Sequence, residues 1–469
     1  MANFSFFTIA ETIEKLNRKE ISAVELIAVH LDRAHRLQPA LNAFVHLDGE
    51  SAIARAHQWE SAIRKEEKLP PLAGIPLSIK SNIDVAGWPC PAGSLLRKEH
   101  IPSTNAPLVS RLEDAGAILL GNTNTPEFLM AYETDNVLSG KTSNPWNLAH
   151  SAGGSSGGEA ASIASGISMG GVGSDGGGSI RVPAHFCGIC GFKPTPGRIP
   201  ATGHFPPPGG AFPWLGVVGP MARTVQDLQI LFNVLAGPDD GDPLAVPFLV
   251  RTESREKLRS LRIGILQSPA LGTATPETQD AVTRAGKLLV ARGFQVELFS
   301  LDNLETALRL WWFFFGRTIG YLLRQSTKGQ ESQLSPMLRE FLEITGAESP
   351  IEIDSFLKAS VERDEVRSGI LRQMRNVPIL LSPVSSAPAF HHGAGNYREG
   401  DPHNYRDTMR FCQWLNLAGF PGLSIPMSHS PEGLPINVQL IGRPNEDELL
   451  LEVGQILEQE RGPWQAPPI

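Results

Sequence analysis

The sequence predicts an α/β fold: a single large mixed β-sheet flanked by helices on both faces. Three observations carry that reading. A helix (224–236), a strand (RIGIL, 262–266), a second helix (276–292) and a second strand (QVELF, 295–299) alternate along the chain. Apolar strand patterns then return late, at 378–382 (PILLS), 423–427 (LSIPM) and 436–442 (INVQLIG), before a final helix at 446–460. Strands returning that late mean that the C-terminal third completes the same core. Finally, 469 residues with 41% hydrophobic content can bury a core of this size.

Taken in order, residues 8–38 read as helical, with Ile9, Ile13, Leu16, Leu26 and Leu31 at helical spacing and Thr8 as a cap. PLSIKSNIDVAG (76–87) reads as a short strand carrying Lys80, then a turn. A helix is expected at 107–115 and a strand at 117–122. EAASIASG makes a short helix ending at Gly166, and ISMGGVG leaves it as a strand. Residues 201–220 are rich in Pro and Gly and read as a long irregular loop, with Phe205, Phe212 and Trp214 arguing for packing. Residues 303–376 read as mostly helical.

Composition excludes several classes of function. The net charge is −8, and no basic block or aromatic-interleaved basic stretch exists, so no nucleic-acid partner is expected. The first 20 residues lack a basic n-region, and no run of about 18 apolar residues occurs. No membrane contact is therefore expected, and a cytoplasmic location follows. A homodimer is left open. Four cysteines are too few for a disulfide scaffold. Cys187 and Cys190 form one C-x-x-C, but no second pair or matching histidines complete a zinc site, so they read as core thiols.

The most informative stretch runs from Gly153 to Arg181, where Ser155 and Ser179 sit in separate glycine turns. Glycine serves where backbone must approach a ligand closely. Serine in such turns suggests a nucleophile beside exposed amides. Three familiar patterns compete there. Gly171, Gly173 and Gly176 match the dinucleotide pattern, but Pro183 argues against the required helix, and no acidic residue follows between Asp175 and Asp227. Gly140-Lys141-Thr142 has Asp135 where a P-loop needs its first glycine. Gly153-x-Ser155-x-Gly157 matches the nucleophile elbow of α/β-hydrolases, with Ser155 as nucleophile, though no histidine is marked as its partner by context.

The whole region resembles the amidase signature family of serine hydrolases. The matching residues are GGSSGG (153–158), GSDGGGSIR (173–181), Pro183-Ala184, Cys187-Gly188 and GFKPT (191–195). GIPLSIKSNIDVAG around Lys80, GNTNTPEF (121–128), NPWN (144–147), LNLAGFPGLSIPM (415–427) and GLPINVQLIGRP (433–444) extend the match over most of the chain. The resemblance implies one catalytic domain over 1–469, with a signature core at about 70–200. It implies a triad of Ser179 as nucleophile, Ser155 as bridging cis-serine and Lys80 as base, with no cofactor and no metal. It also implies an oxyanion hole from the backbone amides of Gly176, Gly177, Gly178 and Ser179. Asp175 and Arg181 would hold the nucleophile loop, and Ser156 would either position substrate or cap the following helix.

The chemistry needs these residue types. A serine hydroxyl is a weak nucleophile until a base takes its proton. Lysine is a base only when neutral, so its pKa must fall from about 10.4. Burial does this, and LSIK is an apolar strand. Consecutive glycines let several amides converge on one oxygen.

This chain departs from the family pattern at four places. Gly176 stands where threonine or serine is usual, Ser81 where aspartate is common, Pro196 for a frequent tyrosine and Ala152 for a common proline. Substrate choice should lie in divergent segments. WWFFFGR (311–317) is expected to pack in the core, with one or two of its aromatics as candidates to line an acyl pocket. The 201–220 and 390–405 stretches are candidate rims, and His391, His392 and His403 lack metal-ligand spacing. The expected substrate is a small-molecule anilide, fatty or aryl amide, with carbamates and esters as related carbonyl substrates. Alternatives are a glutaminase subunit of a tRNA-dependent amidotransferase, against which the aromatic run argues, an esterase using Ser155, and a non-catalytic binding protein that has kept the fold.

Overall fold

A computed structural model describes residues 4–207, 209, 212–247, 258 and 260–469. Its centre is an 11-stranded mixed sheet in the order β1-β3-β2-β6-β8-β7-β12-β13-β11-β9-β10. The strands are β1 (Phe44–Leu47), β2 (Pro76–Lys80), β3 (Ile118–Thr123), β6 (Gly170–Asp175), β7 (Cys190–Lys193), β8 (Val217–Ala222), β9 (Arg262–Leu266), β10 (Gln295–Phe299), β11 (Ile379–Pro383), β12 (Gly422–His429) and β13 (Pro435–Ile441). A separate two-stranded ribbon joins β4 (Ser143–Asn144) to β5 (Asn147–Ser151). The sheet takes strands from both ends of the chain, and two large hydrophobic clusters pack against it.

Strand direction positions the site. β2 runs parallel to both β3 and β6, with Ser78 beside Gly171 and Ile79 beside Val172. The carboxyl ends of β2 and β6 therefore emerge together, which places Lys80 beside the Ser174–Asp175 end of β6. Crevices outside the carboxyl ends of parallel strands are where α/β sheets bind ligands. The helix Gly157–Ala164 packs under these strands, every residue buried.

Four sequence expectations change. The helix expected over 8–38 is two helices, Ile9–Asn17 and Ala23–Leu41. Lys19 at φ 58° breaks the first, and the Ser22 side chain caps the second. The 201–220 stretch is irregular only in its first part, of which residues 208 and 210–211 lie outside the described residues. Its end is the start of β8, wholly buried and antiparallel to β6 and β7. Pro183 does not prevent a helix: Arg181–Cys187 is helical, and Pro183 sits in the first turn, where a missing N–H costs nothing. Within the expected helical stretch 303–376, Trp312–Thr318 is a π-helical segment.

A glycine is required at position 171. A Cβ there would fall on Glu159 Oε1 and the Ser78 carbonyl oxygen. Gly171→Ala is expected to cost about 1–3 kcal/mol by overpacking, read by urea denaturation. An unchanged midpoint would contradict this packing.

Candidate active site

Lys80 closes β2 and is fully buried. Its Nζ donates to Ser155 Oγ at 2.7 Å and to Ser174 Oγ at 3.1 Å. Burial holds its pKa well below the ordinary lysine value, while the charges of Asp175 and Glu159 oppose that shift. Glu159 is the buried acid behind the lysine. Its carboxylate accepts from Ser78 Oγ at 2.5 Å and Thr123 Oγ1 at 2.7 Å. Burial pushes its pKa up to about 7 against those two hydrogen bonds and the lysine charge.

Ser155 is 1% exposed, follows a cis Gly154–Ser155 peptide, and has its carbonyl held by Thr125 Oγ1 at 2.8 Å. Ser156 is fully buried, and its side chain makes no capping hydrogen bond, so the helix-cap role anticipated for it does not hold. Its Oγ instead donates to the Ser174 carbonyl and accepts from the Ser174 amide, both at 3.4 Å. The Ser156 amide donates to the Ser179 carbonyl at 3.2 Å. That bond ties the turn carrying Ser155 to the turn carrying Ser179. Of the two serines, Ser179 is the partly exposed one. An elbow nucleophile must present its hydroxyl openly. Ser155, buried and hydrogen-bonded to lysine, does not.

Asp175 and Arg181 form a wholly buried bidentate pair, with Nε–Oδ2 and Nη2–Oδ1 both at 3.0 Å. Burial alone would raise the Asp175 carboxyl, but the Arg181 charge and hydrogen bonds hold it well below the usual carboxylate range. Asn416 donates to the Asp175 carboxylate at 3.0 Å and accepts from Arg181 at 2.6 Å, and Gln439 accepts from Arg181 at 3.0 Å. Asp175 also accepts the amides of Gly178 at 2.7 Å and Ile180 at 3.1 Å. The Gly178 amide is thus committed inward. This removes Gly178 from the expected donors and leaves the amides of Gly176, Gly177 and Ser179 as the candidates.

The aromatic run covers this loop. Trp311, Trp312, Phe313, Phe314 and Phe315 are all buried. Trp311 Nε1 donates to the Gly176 carbonyl at 2.9 Å, and Tyr132 donates to the Gly177 carbonyl at 2.7 Å. Phe314 packs on Trp214, and Phe205 packs on Phe128. Of the expected rims, Phe390, His391 and His403 line a cavity of about 570 Å³ that includes no triad residue. His392 pairs with Glu133 at 2.8 Å. All four cysteines are free and buried.

Sequence reasoning missed Ser174, Glu159, Thr125, Tyr132, Asn416 and Gln439. One signal existed. Glu159 is the lone charge in the otherwise small, apolar helix GGEAASIA, and a charge so placed is either paired or functional.

The amidase family model matches residues 25–451. The chain belongs to the amidase family. It is 33% identical over 484 residues to a glutamyl-tRNA(Gln) amidotransferase subunit from Carboxydothermus hydrogenoformans, covering 97% of each chain. Among solved structures, it is similar to one described as a vestigial protein complex that reveals the origins of an s-triazine catabolic enzyme. That match has a TM-score of 0.89 at 30% identity, covering 98% of this chain and 100% of the other. A bacterial aryl acylamidase of the amidase signature family matches with a TM-score of 0.84 at 26% identity, covering 97% and 96%. The chain is an amide hydrolase by family, and no helix among the described residues is long and apolar enough to cross a membrane.

Removing one partner of the buried ion pair leaves the other charge uncompensated. Arg181→Met is expected to cost about 3–5 kcal/mol in denaturant unfolding. A loss under about 1 kcal/mol, the range of an exposed pair, would show that Asp175 is held by other means.

Proposed function

We propose that the chain cleaves amide-type C–N bonds through an acyl-enzyme on Ser179. The observation that carries this is the 2.7 Å contact between a fully buried Lys80 amine and Ser155 Oγ, in a turn hydrogen-bonded to Ser179. Ser179 Oγ attacks the carbonyl carbon. Its proton passes to Ser155 Oγ, whose own proton passes to neutral Lys80 Nζ. The amides of Gly176, Gly177 and Ser179 take the developing oxyanion. Collapse of the tetrahedral intermediate expels the amine, which takes the proton back along the same path. Water then releases the acid by the reverse sequence. Asp175 and Arg181 fix the loop, and no step calls for a metal or a cofactor. One sheet built from strands between residues 44 and 441 supports reading the chain as one catalytic unit.

Two substrate readings follow. Similarity to an aryl acylamidase favours a stand-alone hydrolase of anilides or related carbamates and esters. The sequence relatives favour the other more strongly: a glutaminase component of an amidotransferase, working with partner proteins. The aromatic run no longer argues against glutamine, because it is buried around the nucleophile loop.

Hydrolysis of an anilide, a fatty amide, an aryl carbamate and glutamine by purified protein separates the two readings. Turnover of an anilide or carbamate supports the stand-alone enzyme, and turnover of glutamine alone supports the amidotransferase component. In either case Ser179→Ala is expected to abolish turnover, and Lys80→Ala and Ser155→Ala to lower it by at least about 10². Retained activity in Ser179→Ala would overturn the proposal.

The pH profile follows from the lysine. Its pKa is depressed and the neutral form is the active one, so kcat/KM should rise with pH along a limb below the ordinary lysine range of about 10.4. Glu159→Gln removes a charge that favours protonated Lys80, so the limb should move to lower pH. A limb that stays in place or moves up would contradict this coupling.

A further inference from the structure

Two consecutive peptides of the nucleophile loop are gripped from outside the loop. In a trans peptide the carbonyl and the amide point in opposite directions. The Gly177–Gly178 peptide is held at both ends, with Tyr132 on the Gly177 carbonyl at 2.7 Å and Asp175 Oδ1 on the Gly178 amide at 2.7 Å. For the Gly176–Gly177 peptide, the hydrogen bond found is at the carbonyl, from Trp311 Nε1 at 2.9 Å. That bond turns the Gly177 amide away from the indole.

The same ring excludes any side chain at 177, since a Cβ there would lie 2.5 Å from Trp311 Cζ2. The indole cannot easily move. It is 1% exposed and stacks on Phe315 at 4.7 Å with an interplanar angle of 12°. Phe315 in turn fills the space where a side chain at 176 would begin, 3.1 Å from the ideal Cβ. Gly176 does not have a positive φ, so backbone conformation does not demand glycine there. Space does. Where the family pattern places a hydroxyl-bearing residue within the loop, this chain has a bare backbone braced by two stacked aromatic rings.

We propose that Trp311 is a positioning residue for amide hydrolysis: its N–H fixes the Gly176 carbonyl and so aims the Gly177 amide at the substrate oxyanion. This rests on the Ser179 acyl-enzyme reading. The tryptophan touches no reacting atom and acts through the peptide it holds. An oxyanion donor matters more in the transition state than in the ground state. Loss of its aim should therefore appear in kcat and not in KM.

The test compares Trp311→Phe with Tyr132→Phe in the full chain, on whichever panel substrate is turned over. Trp311→Phe keeps an aromatic ring against Phe315 and loses the donor. It should lower kcat on the order of 10-fold, short of the 10²–10³ for deleting an oxyanion donor, with KM unchanged. A trifluoromethyl ketone analogue of the same substrate, which adds Ser179 and places an oxyanion in the hole, should lose affinity by the same factor. Tyr132→Phe acts on a peptide that Asp175 still holds, so it should change kcat by less. If Trp311→Phe does not fold, β-benzothienylalanine in place of Trp311 removes the N–H on the same ring frame. Unchanged kcat and ketone affinity, or equal losses in the two variants, would overturn the role of Trp311 while leaving the Ser179 reading intact. Full activity in the Ser179→Ala control would overturn both.

Discussion

A lysine amine buried from solvent, 2.7 Å from a serine hydroxyl, is the constraint on which the rest of this site depends. An ammonium in that position would have to be compensated by nearby charge. The two acids within electrostatic reach are both occupied. Asp175 is paired with Arg181, and Glu159 accepts hydroxyl hydrogen bonds from Ser78 and Thr123 while burial holds it near its own titration point. Neither acid approaches Lys80 as closely as the two hydroxyls of Ser155 and Ser174 do. The environment therefore favours the neutral amine, the form a base must have. The parallel pairing of β2 with β6 makes this arrangement, because it ends both strands at one edge.

The nucleophile loop obeys a second constraint. Its glycines give it amides without side chains, and such a loop has no rigidity of its own. Rigidity comes from distant parts of the chain: Asn416 and Gln439 through Arg181, Tyr132 through the Gly177 carbonyl, and Trp311 through the Gly176 carbonyl. The C-terminal third thus completes the sheet and also holds the loop. The aromatic run belongs to that scaffold.

This division explains what was legible in the sequence. β9 and β10 have the residues expected of them, because alternating β-branched and apolar residues with clear turns mark a strand. Ser155 and Ser179 stood out because serine in a glycine-rich turn is a local pattern, whereas the role given to Lys80 came from the family resemblance and not from its strand. β8 was not found. VVGPMA contains both Gly and Pro, reads as the end of a loop, and becomes a strand only because β6 and β7 lie on either side of it. Glycine in a strand can mark close backbone approach as well as a turn. The contacts of Tyr132 and Trp311 span 45 and 135 residues, and no local pattern encodes them. The commitment of the Gly178 amide to Asp175 is only three residues long, yet it depends on a backbone direction that the letters do not carry.

The central claim is that Ser179, and not the buried Ser155, carries the acyl group. Its most direct test is mass spectrometry of the protein quenched during turnover of an aryl carbamate or activated ester, followed by peptide mapping. The account predicts an added acyl mass on the peptide containing Ser179, absent in Ser179→Ala. An adduct mapped to Ser155, retained in Ser179→Ala, would contradict it and make Ser155 the nucleophile.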